Sequence, residues 1–254
     1  MKSIIIIPAR YASTRFPGKP LAIIGGIPMI VRVARRVMNC ADTVVVATDD
    51  NRIVSVCDEY DIPVVMTRDD HKSGTDRIME AYRKLAKDDS QYDVVVNVQG
   101  DEPFIDPEHI KLLLSFFEDK NVDIATLCKP FPIDNPEERL DDPNRVKVVL
   151  SDDSTALYFS RSVIPCLRGI PYSQWPGKHQ YLIHIGIYAY RPDILSRITE
   201  IPQSSLEICE SLEQLRWLQN GLNIKVGKVC QSSIGIDTPE DLEYVNSTLH
   251  PELD

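Results

Sequence analysis

Short apolar runs and segments of helical period take turns along the first half of this 254-residue chain. The runs Ser3–Ile7, Thr43–Ala47, Pro63–Met66, Asp93–Val98 and Val122–Leu127 are predominantly apolar and rich in Val and Ile. Runs of this kind predict strands buried on both faces of a sheet. Between the first two, Met29–Met38 sets Ile30, Val33, Ala34 and Val37 at helical spacing and leaves Arg32, Arg35 and Arg36 outward. Pro28 suits the first turn of that helix. Asn51–Tyr60, Thr75–Ala86 and Pro107–Phe117 read as further crossover helices. This βαβα order predicts a mostly parallel central sheet flanked by helices, with right-handed connections.

The pattern changes after Leu127. Lys129–Pro143 carries four Pro and many acidic residues and reads as an irregular excursion. Shorter strand candidates follow at Arg145–Leu150, Thr155–Phe159 and Ile183–Tyr190, with a polar loop at Gly169–His179. About 130–190 is therefore expected to form a smaller lobe with its own β-structure, inserted in one large domain covering 1–254. Ser204-x-x-Glu207 reads as a capping box opening a helix, with Cys209, Leu212, Leu215 and Leu218 along one face and Gly221 as its stop. A last strand at Ile224–Val229 and a closing helix at Pro239–Leu249 complete the expected elements.

Composition narrows the functional classes. A formal charge of −10 disfavours non-specific nucleic-acid binding, which needs an extended basic face. No run of 18 apolar residues suggests membrane insertion. Six scattered Cys with no C-x-x-C pair argue against a disulfide framework or a zinc site, and for a reducing cytoplasm. Against that acidic background, Met1–Ala41 holds seven Lys or Arg and no Asp or Glu. At its centre the run Ile4–Ile7 empties into a Pro- and Gly-framed loop bearing Arg10, Arg15 and Lys19. Cations on a stiff loop at the carboxyl end of a buried strand suit a nucleotide triphosphate, although a solvated basic loop has the same composition. The P-loop pattern G-x-x-x-x-G-K-[ST] is absent.

A second signal is Val94-Val-Val-Asn-Val-Gln99-Gly100-Asp101-Glu102-Pro103, a buried strand ending in Gly and an acidic pair. Mg²⁺ takes one or two carboxylates together with phosphate oxygens and water. Asp101 is one candidate ligand, and Asp237 in Ile234-Gly-Ile-Asp-Thr-Pro239 is the second. On spacing alone, Asp101 reads equally as a turn residue and Asp237 as a helix cap. His71-Lys-Ser73-Gly74-Thr-Asp-Arg77 opens a helix, either as a plain cap or as a lining for a base or ribose. His184, Gly186, Tyr188 and Tyr190 share a strand face. Glu210, Glu213 and Gln214 are expected on one helical face, facing either sugar hydroxyls or water. No Ser/His/Asp or Cys/His nucleophile emerges.

Taken together, these segments resemble the 3-deoxy-D-manno-octulosonate (Kdo) cytidylyltransferases, the CMP-Kdo synthetase family. The matching motifs are Ile7-Pro-Ala-Arg-Tyr-Ala-Ser-Thr-Arg-Phe-Pro-Gly-Lys-Pro20, Ala47-Thr-Asp49, His71–Arg77 and Asn97–Pro103, then Asn144–Val149, Ala156–Arg161, His184–Tyr188, Leu212–Arg216 and Gly235–Leu242. They span nearly the whole chain. Phe16 where Leu is common, and Asp50 after Thr-Asp, are mild departures. The resemblance implies a GT-A-like, Rossmann-like nucleotidyltransferase fold and a homodimer built partly through the 130–190 lobe. It implies a Mg²⁺-dependent reaction of CTP with Kdo giving CMP-Kdo and pyrophosphate, which activates Kdo for lipopolysaccharide biosynthesis. Another acid sugar, 8-amino-Kdo or a sialic acid, is the alternative acceptor, and a non-catalytic nucleotide-binding protein on the same fold is the alternative class. By motif, Arg10, Arg15 and Lys19 would face CTP phosphates, and Ser73, Gly74, Arg77 and Gln99 the nucleoside. Asp101 and Asp237 would hold Mg²⁺, and Arg161, His184, Glu213 and Gln214 would face the acid sugar. Arg10, Lys19, Asp101 and Asp237 form the implied catalytic set.

Overall fold

The computed structural model describes residues 1–12, 16–87, 91–133, 138–230 and 235–248. Its strands are β1 (Ser3–Ala9), β2 (Ile23–Ile24), β3 (Ile27–Pro28), β4 (Thr43–Thr48), β5 (Val64–Met66), β6 (Val94–Asn97), β7 (Ile124–Pro130), β8 (Lys147–Leu150), β9 (Ala156–Ser160), β10 (Leu182–Tyr190) and β11 (Ile224–Lys228). Its helices are α1 (Met29–Val37), α2 (Asn51–Glu59), α3 (Gly74–Leu85), α4 (Pro107–Ser115), α5 (Trp175–Lys178), α6 (Pro192–Glu200), α7 (Ser205–Glu210), α8 (Gln214–Gln219) and α9 (Pro239–Thr248). These fall into two compact units. Among the described residues, one is drawn from 1–111, 190–199 and 235–248, and the other from 112–189 and 200–230. The expected 130–190 lobe falls, up to residue 189, in a unit that also holds β7, β11 and the helices between 200 and 220.

In the first unit the strand order is β6-β1-β4-β5, all parallel. Flanked on both sides and covered on both faces, β1 keeps Ile4, Ile5, Ile6 and Ile7 fully buried. That is why the run lacks polar alternation. The chain leaves β1 through α1 to β4 and through α2 to β5, and α3 then returns it to β6 on the opposite side of β1. The winding direction reverses between β1 and β6. In an open parallel sheet, the loops leaving the carboxyl ends part at that point and leave a crevice.

One expectation in this unit needs correction. Arg32 is not outward: it is 8% exposed, and its Nε donates to the Ile24 carbonyl at 2.6 Å and its Nη2 to the Gly25 carbonyl at 3.2 Å. A small hairpin of β2 and β3, turning through Gly25 and Gly26 at positive φ, covers that side of α1, and the periodicity of α1 carries no sign of it. Helix α6 was also absent from the sequence reading.

In the second unit β11 runs parallel to β7, β7 neighbours β10, and β8 pairs antiparallel with β10 and β9. The single helix expected from Ser204 to Gly221 is two. Ser204 and Glu207 do form the capping box, but α7 ends at Ser211, whose φ of 51° is left-handed, and α8 starts at Gln214. The break has a cause. The Glu210 carboxylate accepts from Ser160 Oγ at 2.7 Å and the Arg161 amide at 2.9 Å, while the carbonyls of Glu210 and Ser211 accept from the Arg161 guanidinium at 2.6 and 3.2 Å. The carbonyls that a continuing helix would use internally are satisfied by a neighbouring strand end instead. Glu210, Glu213 and Gln214 consequently do not share one helical face.

Candidate active site

A cleft of about 280 Å³ opens at the carboxyl ends of β1 and β6, inside the first unit. Its walls include Arg10 and Lys19 from the loop after β1, Ser73, Gly74 and Arg77 from the start of α3, Gln99–Asp101 after β6, and Asp237 before α9. The deciding feature is Lys19. Its Nζ lies 2.6 Å from Asp101 Oδ2 and 3.2 Å from Asp237 Oδ1, so two carboxylates distant in sequence face one cation.

Local structure fixes each member. Gly18 at φ 71° makes the left-handed turn into Lys19, and a Cβ there would meet the Tyr11 ring at 3.1 Å. Pro20 is buried beneath the turn, and the Arg52 guanidinium lies 3.3 Å over the Tyr11 ring. Gly100 is demanded by a close approach: a Cβ would sit 2.9 Å from the Pro8 carbonyl oxygen. Any side chain there would push the exit of β6 away from β1, and Asp101 with it. Asp237 is placed from the backbone, because the preceding Ile236 amide donates to the Asp101 carbonyl at 3.0 Å while the buried Ile236 side chain packs with Ile24, Met29 and Val245. Asp237 is not the helix cap that spacing allowed. Thr238 Oγ1 accepts from the Asp241 amide, and the Asp241 carboxylate accepts from the amides of Asp237 and Thr238 at 2.9 and 2.8 Å. Burial would raise the Asp241 carboxyl, but those two N–H groups prevail and hold it below its ordinary value.

The other cleft residues divide by what already holds them. Arg10 is exposed at the mouth. Ser73 caps α3, its Oγ accepting from the Asp76 amide at 3.1 Å, and Gln99 Nε2 donates to Asn97 Oδ1 at 3.3 Å. Arg77 reaches the lining, yet its guanidinium is occupied: Nη2 meets Asp49 Oδ2 at 2.6 Å and Nη1 donates to Thr67 Oγ1 at 2.5 Å. It braces the start of α3 against the ends of β4 and β5 rather than offering a free fork. His71 also lines the cleft, its Nε2 against Glu80 Oε2. Burial would raise the Glu80 carboxyl, but Lys84, the Arg68 amide and His71 together draw it down to about 2. Arg15 lies outside the described residues.

Arg161, His184, Glu213 and Gln214 all belong to the second unit. Arg161 is spent on the carbonyls of Pro143, Glu210 and Ser211. His184 Nε2 lies 3.0 Å from Thr126 Oγ1 and its ring packs on Phe159 and Tyr188. Desolvation pushes its pKa down to about 3, so the ring is neutral at physiological pH. Glu213 Oε1 accepts from Arg216 Nη2 at 2.7 Å, and Gln214 is buried at the start of α8.

Comparison with known proteins decides the family. The family described as cytidylyltransferase matches residues 4–225. The 3-deoxy-manno-octulosonate cytidylyltransferase of Parabacteroides distasonis is 57% identical over 244 residues, 96% of either chain. The protein of that name from Phocaeicola vulgatus is 55% identical over 249 residues, 98% of either chain. The chain belongs to the 3-deoxy-manno-octulosonate cytidylyltransferase family. A solved structure of CMP:2-keto-3-deoxy-manno-octonic acid synthetase, complexed with CTP, is 42% identical and superposes with a TM-score of 0.87 over 97% of this chain and 98% of its own. The mixed, mostly parallel sheet flanked by helices expected from the sequence is therefore the nucleotidyltransferase fold of this family.

For this member of the cytidylyltransferases, several residues that build the cleft escaped the sequence reading. Asp49, Ile236 and Asp241 fall inside the matching motifs without a role assigned there, and Glu80 falls in none; of these Asp241 carries a local signal, because Thr238-x-x-Asp241 has capping-box spacing. Gly100 did carry a signal, a Gly at a strand end. Among the described residues no group of three His, Cys, Asp or Glu is placed to hold a metal. Two carboxylates are nevertheless enough for Mg²⁺ when phosphate and water supply the remaining oxygens. Asp101 and Asp237, 31% and 59% exposed and already facing a cation, fit that requirement. No helix of the described residues is long and apolar enough to cross a membrane.

Proposed function

We propose that this chain transfers CMP from CTP to the anomeric hydroxyl of Kdo, releasing pyrophosphate, with Mg²⁺ as its cofactor. The observation that carries the assignment is the meeting of Lys19, Asp101 and Asp237 at the β1/β6 crevice of a cytidylyltransferase-family fold. Arg10 and Lys19 put positive charge where a triphosphate must lie and where the leaving pyrophosphate gains charge. Arg15 joins them by motif. Ser73 and Gly74 present the amino-terminal end of α3, a helix of 12 residues, to the same ligand. Gln99 adjoins the nucleoside, and Arg77 sets the angle of α3. Asp101 and Asp237 would hold Mg²⁺, which when bound neutralises phosphate charge and orients the attacking hydroxyl. No protein nucleophile is required for in-line attack on the α-phosphorus; among the described residues His71 is paired with Glu80 and Ser73 with the Asp76 amide.

Arg161, His184, Glu213 and Gln214 are proposed to serve the acid sugar. Arg161 and Glu213 do so as structured donors and acceptors rather than free charges, and His184 as a neutral hydrogen-bonding ring. The chain is also proposed to act in the cytoplasm as a homodimer joined through the 130–190 stretch, where Ile133, Leu157 and Tyr172 are exposed. Sedimentation of wild type and of Leu157→Glu tests the dimer, the variant being expected to sediment as the lighter species. The activity itself is tested by Mg²⁺-dependent pyrophosphate release from CTP, with and without Kdo, 8-amino-Kdo or a sialic acid. Release with Kdo above all others is the expected result. Release independent of any sugar, or none with Kdo, contradicts the assignment.

A further inference from the structure

Lys19 occupies the place between Asp101 and Asp237 that a shared cation would take. Its ammonium touches both carboxylates, and only 16% of the side chain is exposed. The pairing is constructed rather than casual. Gly18 and Pro20 aim Lys19 inward, Gly100 lets Asp101 approach, and the Ile236 amide fixes Asp237 beside it. Arg10 lines the same cleft, so a triphosphate entering there meets a second cation besides the one held by the carboxylate pair.

We infer that Lys19 is an internal counter-ion that keeps a divalent cation off the Asp101–Asp237 pair until a triphosphate draws the ammonium away. The inference rests on the metal-binding reading of the two aspartates given above. Without Lys19 the pair is two like charges facing each other, an attractive site for any divalent ion. With Lys19 in place one charge is cancelled and the shared position is filled, so metal binding must first displace the ammonium. A ligand that competes for a minor state binds with an affinity reduced by the population of that state. A triphosphate, with close to four negative charges, offers Lys19 an alternative partner and supplies phosphate oxygens to the ion. Metal and nucleotide then strengthen each other's binding by the same factor. Lysine suits this exchange better than arginine, because its ammonium is a point charge on a flexible stem and not a planar fork matched to a carboxylate. The outcome is a preference for the metal–nucleotide complex over the free ion, and protection of the cleft from metal loading before substrate arrives.

The test is Mn²⁺ binding to the full-length protein without nucleotide, read from the free Mn²⁺ signal in electron paramagnetic resonance. Lys19→Met and Lys19→Gln should each bind Mn²⁺ about tenfold more tightly than wild type, whereas Lys19→Arg, which keeps the charge, should not. Equal affinity in wild type, Lys19→Met and Lys19→Gln overturns the counter-ion inference. The double variant Lys19→Met with Asp101→Asn separates this from the reading beneath it. Loss of the gained affinity places the ion on the pair and supports the inference, while retention shows that the aspartates are not the ligands and removes the metal assignment itself.

Discussion

The two units use the same kinds of side chain to opposite ends. In the first, Lys19, Asp101 and Asp237 meet one another across an open cleft, and their positions are set by glycines, a proline and backbone amides rather than by their own bonding. In the second, Arg161, Glu210, Glu213 and Arg216 are absorbed into the fold: Arg161 holds three carbonyls, Glu210 a hydroxyl and an amide, and Arg216 bridges Glu207 and Glu213. A charge whose position is fixed by others remains available to a ligand. A charge that fixes its neighbours contributes first to stability. Residue type does not tell these apart; the partner does.

The comparison predicts its sharpest effect at Asp101. Asp101→Ala should lower Mg²⁺-dependent pyrophosphate release by about three orders of magnitude, as loss of a metal ligand does, with an unchanged melting temperature. A marked fall in thermal stability would place Asp101 among the structural charges instead. Gly100→Ala tests the positioning argument. With its Cβ 2.9 Å from the Pro8 carbonyl, the strand exit must shift, and turnover should fall about tenfold to a hundredfold together with a loss of about 1–3 kcal/mol in stability. Arg161→Ala should show the reverse balance. It leaves three carbonyls short of a donor and should cost about 2 kcal/mol in denaturant unfolding, raising KM for Kdo while leaving KM for CTP nearly unchanged. Arg32→Ala, once its carbonyl partners are recognised, should destabilise by about 1–2 kcal/mol and barely alter kcat.

The smallest effect is in pH dependence. His184 is held near 3 against an ordinary 6.5, so between those values the unfolded chain binds a proton that the folded protein refuses. Its stabilising contribution is therefore complete above about pH 6.5 and declines as the pH falls toward 3. His184→Gln should flatten the acid limb of the stability curve by up to about one proton relative to wild type. Parallel curves would show that the ring is not desolvated as the structure has it.

Much of the first unit was readable because one-dimensional patterns carried it. A run such as Ile4–Ile7 is apolar for a reason that acts along the strand itself, and the loop after it holds its prolines, glycine and cations within a few residues of one another. What sequence reasoning missed depends on partners outside the element being read. Arg32 looks outward on a helical wheel until a hairpin seven residues earlier folds over it. The helix from Ser204 breaks at Ser211 because Arg161, fifty residues upstream, claims its last carbonyls. Asp237 escaped its capping role only because Thr238 and Asp241 take that role between them. In the first two cases a side chain meets backbone carbonyls outside its own element, which no local spacing rule records; the third is the Thr238-x-x-Asp241 capping box, which local spacing does record.

The most direct test of the central claim, that Asp101 and Asp237 share one cation beside the triphosphate, is anomalous diffraction from crystals grown with Mn²⁺ and CTP. The account predicts an anomalous peak at about 2.1–2.3 Å from a carboxylate oxygen of both residues, with the Lys19 ammonium moved onto the phosphates. A peak coordinated by phosphate oxygens alone, with Lys19 still between the two aspartates, would contradict it.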